Sequence, residues 1–365
     1  MTLNQQLDAL NFQKMLIVVK IGTNVLSQAN GLLDMTTMSH LCDQVAALKK
    51  EGHQVIIVTS GAVGAGRKVL PNLNDKNKIE HRQVLAAVGQ IRLMQIYLQF
   101  FSQYNIHVAQ VLATKEDFRD RQHYLNMKNC LNALLLDDII PIVNENDVVA
   151  VTELMFTDND ELSGLIAAMT NANIFVILSN IDGVFNGKPS ESGSYVIHEV
   201  LPDDKKILSF ITSEKSSFGR GGMETKLRIA QKTAKIGIET YIANGKETAI
   251  LTRILNEEKI GTHFLAQKNV SNLKKWLAYN ELSEKGTIYI NKGAADALNS
   301  HVSSLLPIGV TRLEGNFQKG DLVKIKYEEQ IIAVGMAQIA ASAAEKIIGQ
   351  AHKKAIIHYD YLYVY

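Results

Sequence analysis

Met15-Leu16-Ile17-Val18-Val19-Lys20-Ile21-Gly22-Thr23 is the stretch from which the fold can be read. An unbroken apolar run rich in β-branched residues, without polar alternation, describes a strand over Met15–Ile21 buried on both faces. Such strands sit in mainly parallel sheets with helices on both sides, which predicts an α/β three-layer sandwich. Lys20 lies near the strand's end, where a buried ammonium costs on the order of several kcal/mol unless an anion meets it. It is therefore expected to face a phosphate or carboxylate. The rival reading is an edge-strand lysine whose head reaches water.

Outward from this run the same pattern recurs as far as about Leu255. Strands are expected at Gln54–Thr59, His107–Leu112, Ile139–Val143, Ile174–Leu178 and Ile238–Ile242. Helical spacing marks Met38–Lys50, Val84–Tyr104, Tyr124–Leu136, Glu161–Met169 and Lys226–Ile236. A polar stretch then leads to the single tryptophan, Trp276. The expected division is an extension at 1–14, a large domain at 15–265, a linker at 266–276 and a small domain at 277–365. In the last of these, short strands (Thr287–Ile290, Leu322–Tyr327, Ile331–Gln338, Ala355–His358, Tyr361–Tyr365) alternate with turn signals, as in a small β-barrel.

Composition narrows the function. The 365 residues carry 38 Lys and Arg against 37 Asp and Glu, a formal net charge of +1. Residues 277–365 hold nine of each sign, leaving 29 and 28 in the remainder, so neither domain is a bulk polyanion binder. Two separated cysteines, Cys42 and Cys130, exclude a disulfide framework and fit a reducing cytoplasm. The apolar runs break well short of the roughly 18–20 residues of a membrane span, and Met1–Lys14 lacks a signal-peptide core.

Four clusters follow expected strand ends, where open α/β sheets bind ligands. Lys20-Ile21-Gly22-Thr23 is the first. Thr59-Ser60-Gly61-Ala62-Val63-Gly64-Ala65-Gly66 follows, whose glycines permit close backbone approach but match neither the dinucleotide fingerprint nor Walker A. Asn144-Glu145-Asn146-Asp147 and Asp158-Asn159-Asp160-Glu161 form the third, able to bind an amino group, magnesium or phosphate-binding lysines, or simply to make Asx turns and a helix cap. The fourth is Gly219-Arg220-Gly221-Gly222-Met223-Glu224-Thr225-Lys226, which puts Lys226 in the first turn of a helix. A cation opposes the helix dipole there unless an anion is present. No H-E-x-x-H or G-x-S-x-G occurs, leaving zinc and serine hydrolase chemistry unsupported.

In this order, with Leu85-Ala86-Ala87-Val88-Gly89-Gln90 between the second and third, the clusters resemble the amino acid kinase family. The tail, with Gly286-Thr287-Ile288-Tyr289-Ile290, Ser303-Ser304-Leu305-Leu306-Pro307 and Gly315-Asn316-Phe317-Gln318-Lys319-Gly320-Asp321, is similar to a PUA domain. The resemblance implies the amino acid kinase fold and ATP-dependent phosphorylation of the γ-carboxylate of L-glutamate, the first step of proline biosynthesis, with Mg2+ bound mainly through nucleotide phosphates. It implies catalytic roles for Lys20, Lys226, Asp160 and Asp158, and substrate contacts from Ser60, Gly61, Ala62, Asn144, Asp147 and Asn159. ATP contacts would come from Lys20, Gly22, Ser179, Asn180, Arg220, Gly221, Gly222, Met223, Glu224, Thr225 and Lys226.

Two positions depart from the family pattern. Asn180 replaces an acid beside Ser179, with Asp182 nearby, and Arg220 replaces a threonine and is expected to add a phosphate contact. The resemblance further implies a cytoplasmic homodimer or homotetramer, feedback by proline, and a mobile element at Pro71–Arg82. Rival readings are a family relative acting on aspartate, N-acetylglutamate or a nucleoside monophosphate, a weakly active regulatory homologue, and an RNA-binding protein using Lys319, Lys324, Lys326, Lys353 and Lys354.

Overall fold

The computed structural model describes residues 14–28, 30–73, 77–150, 159–189, 191, 193–202, 204, 206–210, 222–267, 284–300 and 303–364. The chain forms two compact units, residues 1–117 with 125–267 and residues 118–124 with 268–365.

The larger unit is built on eight strands: β1 (Leu16–Ile21), β2 (Gln54–Val58), β3 (Val108–Ala113), β4 (Ile140–Glu145), β5 (Ile174–Ser179), β6 (Glu199–Val200), β7 (Glu239–Asn244) and β8 (Thr262–Phe264). They form one sheet in the order β3-β4-β2-β1-β5-β7-β8-β6. Every pairing is parallel except β7 with β8. The run that begins at Met15 thus lies at the centre, Lys20 registering with Val58 on one side and Ile177 on the other. Because β1, β2, β4 and β5 run the same way, Lys20, Thr59, Asn144 and Ser179 emerge at one edge of the sheet.

Nine helices of this chain segment are described: α1 (Thr23–Leu26), α2 (Met35–Lys50), α3 (Ala62–Val69), α4 (Lys78–Ser102), α5 (Lys115–Arg119), α6 (Arg121–Leu136), α7 (Asn159–Thr170), α8 (Met223–Lys235) and α9 (Ile250–Leu255). Ile17, Val19 and Ile21 of β1 share one buried cluster with Leu41, Val45 and Leu48 of α2 and with Leu93, Tyr97 and Phe101 of α4. Helix α7 packs against β1, β2, β4 and β5, and α8 lies against α7. By length and composition α4 could cross a membrane, yet half of its most apolar window is buried inside the protein. It is a core helix.

Two glycine features set the loop that follows β2. Gly61, the residue before α3, has φ of +100°, a left-handed conformation that side chains disfavour. Farther along, α3 and α4 touch so closely that a Cβ on Gly89 would lie 1.8 Å from the carbonyl oxygen of Ala62, and one on Gly66 would lie 2.0 Å from that of Leu85.

Part of the expected mobile element Pro71–Arg82 is instead helix: α4 begins at Lys78, its first turn capped by the Asn77 side chain, which accepts from the amide of Ile79. Local capping converts a polar, charged stretch that reads as loop into a helix start. Residues 74–76 of that element lie outside the described residues, as do residues 1–13 of the expected extension and 268–276 of the expected linker.

The smaller unit carries a mixed five-stranded sheet of β9 (Gly286–Ile290), β10 (Val310–Glu314), β11 (Leu322–Tyr327), β12 (Gln330–Met336) and β13 (Leu362–Val364), ordered β10-β9-β11-β12-β13. Helices α10 (Lys292–Ser300) and α11 (Ala341–Glu345) accompany it, and Ile288, Phe317, Val323, Ile325 and Ile357 share its core. Ala355–His358, expected as a strand, contributes only a bridge from Ile357 to Leu305, while Val310–Glu314 is a strand that the alternation did not announce. Of the five lysines weighed as an RNA-binding patch, Lys324 is paired with Glu284 at 3.3 Å.

Candidate active site

The lysine at the end of β1 has found its anion. Asp160, in the first turn of α7 and fully buried, takes the Lys20 ammonium on Oδ1 and the Lys226 ammonium on Oδ2, the latter at 2.8 Å. One carboxylate thus gathers two cations that lie far apart in sequence, from the central strand and from the start of α8. Burial alone would raise the pKa of Asp160; the two ammonium groups outweigh it and hold the carboxyl well below the usual carboxylate range. Position adds to this, because the start of a helix favours an anion. The three side chains carry a net single positive charge at the sheet edge, with the lysine heads fixed before any ligand arrives.

Beside them stands a neutral amide cluster. The Asn159 amide nitrogen donates to the Thr59 carbonyl at 2.6 Å, the Ser60 hydroxyl oxygen at 3.0 Å and the Asn144 side-chain oxygen at 3.0 Å. The Asn144 side chain also accepts from the amide of Glu145 at 2.9 Å and donates to Gln90 at 2.9 Å. Ser60, Asn144 and Asn159 are therefore brought together, with Gly61 and Ala62 adjoining Ser60. Gln90 stands in the α4 stretch that carried the family resemblance, but its support of Asn144 was not anticipated. Its amide nitrogen is buried and has no hydrogen-bond partner among the described residues.

Asp147 lies beyond the end of β4 and is not hydrogen-bonded to that cluster. Its Oδ1 accepts from Arg82 Nη2 at 2.7 Å, and the neighbouring Gln83 side chain donates to the Val148 carbonyl at 2.6 Å. These contacts from the first turns of α4 were also missed, since 65 residues separate Arg82 from Asp147.

The expected nucleotide residues divide. Gly22 sits within reach of Lys20, a Cβ there falling 3.4 Å from its Nζ. Gly222 is the N-cap of α8, with Met223, Glu224, Thr225 and Lys226 in the first turn. Glu224 makes an exposed pair with Arg228 at 2.8 Å. Ser179 is buried at the end of β5, Asn180 is exposed, and neither has a described contact with the lysine pair. Asp182, the carboxylate near Asn180, accepts from the Asn244 side chain at 2.8 Å. Asp158, Arg220 and Gly221 lie outside the described residues. Among the described residues no group of three or more His, Cys, Asp or Glu side chains could hold a metal ion.

Fixed cations on a carboxylate at the C-terminal edge of a parallel sheet, next to a cluster of amides and a hydroxyl, are parts for moving an anionic group between polar partners. Residues 15–244 match the amino acid kinase family and residues 286–359 match the PUA domain. The chain belongs to the amino acid kinase family. It is similar to the glutamate 5-kinase of Chlorobaculum tepidum, 50% identical with 95% of this chain and 97% of that protein covered. It is also similar to the glutamate 5-kinase of Bacteroides thetaiotaomicron, 47% identical with 95% and 98% covered. Among solved structures, the carbamate kinase from Giardia lamblia bound to AMP-PNP shares the fold at a TM-score of 0.52 and 16% identity, covering 70% of this chain and 99% of that one.

Proposed function

We propose that the chain phosphorylates the γ-carboxylate of L-glutamate with ATP, giving L-glutamyl 5-phosphate and ADP, the entry to proline biosynthesis. The observation that carries this reading is Asp160 holding Lys20 and Lys226 beside Ser60, Asn144 and Asn159. The names and full-length similarity of the relatives support the choice of glutamate.

The chemistry follows from charge. A carboxylate nucleophile needs no proton removed, so the barrier lies in bringing two anions together and in charge spreading over the transferred oxygens. Lys20 and Lys226 neutralise that charge, and Asp160 fixes where their ammonium groups stand. Ser60 and Asn159 offer donors to substrate carboxylate oxygens, and Asp147 pairs the α-ammonium. Magnesium would enter with the nucleotide and would offset the negative charge of its phosphates. Proline carries an α-carboxylate and a charged amine, so it competes for the same partners as glutamate. The reading places the enzyme in the cytoplasm as a homo-oligomer, which light scattering would measure.

The test is ADP release together with hydroxylamine trapping of the acyl phosphate, using L-glutamate, L-aspartate and N-acetylglutamate, with and without proline. Hydroxamate from glutamate alone, suppressed by proline, is the expected result. Turnover of aspartate without glutamate would overturn the reading.

A further inference from the structure

Asp147 is a half-filled carboxylate. Its side chain is only 10% exposed, yet one cation reaches it, the Arg82 guanidinium on Oδ1, and no other described group pairs with its second oxygen. Asp160, by contrast, has an ammonium on each oxygen. The turn that carries Asp147 is fixed on several sides. The amide of Asn146 donates to the Ala113 carbonyl at 2.9 Å, the amide of Ala150 closes onto the Asn146 carbonyl at 3.0 Å, and Gln83 holds the Val148 carbonyl at 2.6 Å. Arg82 and Gln83 are consecutive on α4, so one helix turn grips both the side chain and the backbone of this segment.

We propose that Arg82 is a positioning residue that presents the open oxygen of Asp147 to the substrate's α-ammonium, and thereby selects zwitterionic amino acids over plain dicarboxylates. This rests on the proposed phosphorylation of glutamate. A mostly buried carboxylate without Arg82 is left uncompensated, and it relaxes by turning to water. That movement removes the ammonium's anchor. The guanidinium, already engaged on the far oxygen, holds the Asp147 carboxylate in place while leaving one oxygen for the ligand. Arg82 does not touch the transferred group, so its loss acts on recognition and not on the chemical step.

The experiment compares kinetics on L-glutamate and on glutarate, which lacks the ammonium, for the full-length wild type, Arg82→Met, Arg82→Lys, Asp147→Asn and the Arg82→Met/Asp147→Asn double variant. Arg82→Met is expected to raise KM for glutamate about tenfold, the low end for a hydrogen bond to a charged group, with kcat and the KM for ATP within twofold. Its kinetics on glutarate stay at the wild-type level. Arg82→Lys recovers most of the loss, and adding Arg82→Met to Asp147→Asn costs nothing further. The proposal is overturned if Arg82→Met leaves KM for glutamate unchanged or lowers it, as a competitor of the ammonium would. Equal losses on both substrates, or additive effects in the double variant, also overturn it by showing a purely structural role. Failure of the underlying reading looks different, because the wild type itself would then give no acyl phosphate from glutamate.

Discussion

Asp160, fully buried, and Asp147, partly buried, are two carboxylates in one domain, both held by cations and differing in how far they are filled. Asp160 has an ammonium on both oxygens and nothing left to offer a ligand, whereas Asp147 has a guanidinium on one oxygen and the other open. A carboxylate with both sides occupied serves as a fixture: its value lies in where it holds Lys20 and Lys226. One with a side left open serves as a receptor. On the proposed function the same residue type works on the reaction in one place and on recognition in the other, and the difference is set by which elements deliver cations to it, β1 and α8 for Asp160 and α4 for Asp147.

The comparison breaks first at the lysines. Lys226→Ala or Lys20→Ala should lower kcat by about 10³–10⁵, the scale for removing a cation from phosphoryl transfer. That corresponds to about 4–7 kcal/mol of transition-state stabilisation. A steady-state assay retaining more than a tenth of the wild-type rate would remove either lysine from the chemistry.

Asp160→Asn comes next and reads out as stability. It strands the buried Lys20 ammonium and the partly buried one of Lys226, and breaking a buried charge network in this way costs about 3–5 kcal/mol, measurable by denaturant unfolding. The pH dependence has a definite sign. Because the folded pKa is depressed, the unfolded chain binds the proton more readily, and the contribution is fully present above the unfolded value of 3.8. It is lost only as pH falls from there through the folded pKa. The stability gap between wild type and Asp160→Asn should therefore be flat from neutral pH down to about 5 and narrow only in stronger acid. A gap that closed between pH 7 and 5 would show that the carboxylate is not held down by the lysines.

Smaller effects sharpen the recognition side. Gly89→Ala drives a Cβ into the Ala62 carbonyl, so α3 and α4 must part. Overpacking of this kind costs about 1–3 kcal/mol, and since Ala62 adjoins Ser60, KM for glutamate should rise along with the loss of melting temperature. The tenfold KM effect of Arg82→Met belongs after it. Smallest of all is Glu239→Gln at the opposite edge of the sheet, where the carboxylate is partly exposed and pairs with His263 at 2.7 Å. Losing that pair should cost under about 1 kcal/mol and leave kcat and both KM values unchanged.

How much of this could be read from the sequence depends on range. Buried strands announced themselves because β-branched runs without polar alternation have few other uses, as in the run that begins at Met15, while the place of β1 at the centre of the sheet emerged only in the structure. The two-residue β6 and three-residue β8 are too short to carry a period. The start of α4 was hidden because Lys78, Glu80, His81 and Arg82 look like loop chemistry until Asn77 caps them. In the site, Lys20 demanded an anion on solvation grounds alone, and family resemblance pointed to Asp160. The Arg82 and Gln90 contacts had no comparable signal, since each joins α4 to a residue more than fifty positions away through a side chain that also suits a solvated helix surface.

The division of labour is tested most directly by titrating L-glutamate calorimetrically into Lys226→Ala and Asp147→Asn in the presence of a non-hydrolysable ATP analogue, alongside their turnover numbers. The account predicts that Lys226→Ala binds glutamate within about threefold of wild type while its turnover falls by about 10³ or more, and that Asp147→Asn loses binding. If Lys226→Ala loses glutamate affinity by as much as it loses rate, the filled carboxylate and its lysines are binding the substrate, and the distinction between Asp160 and Asp147 is wrong.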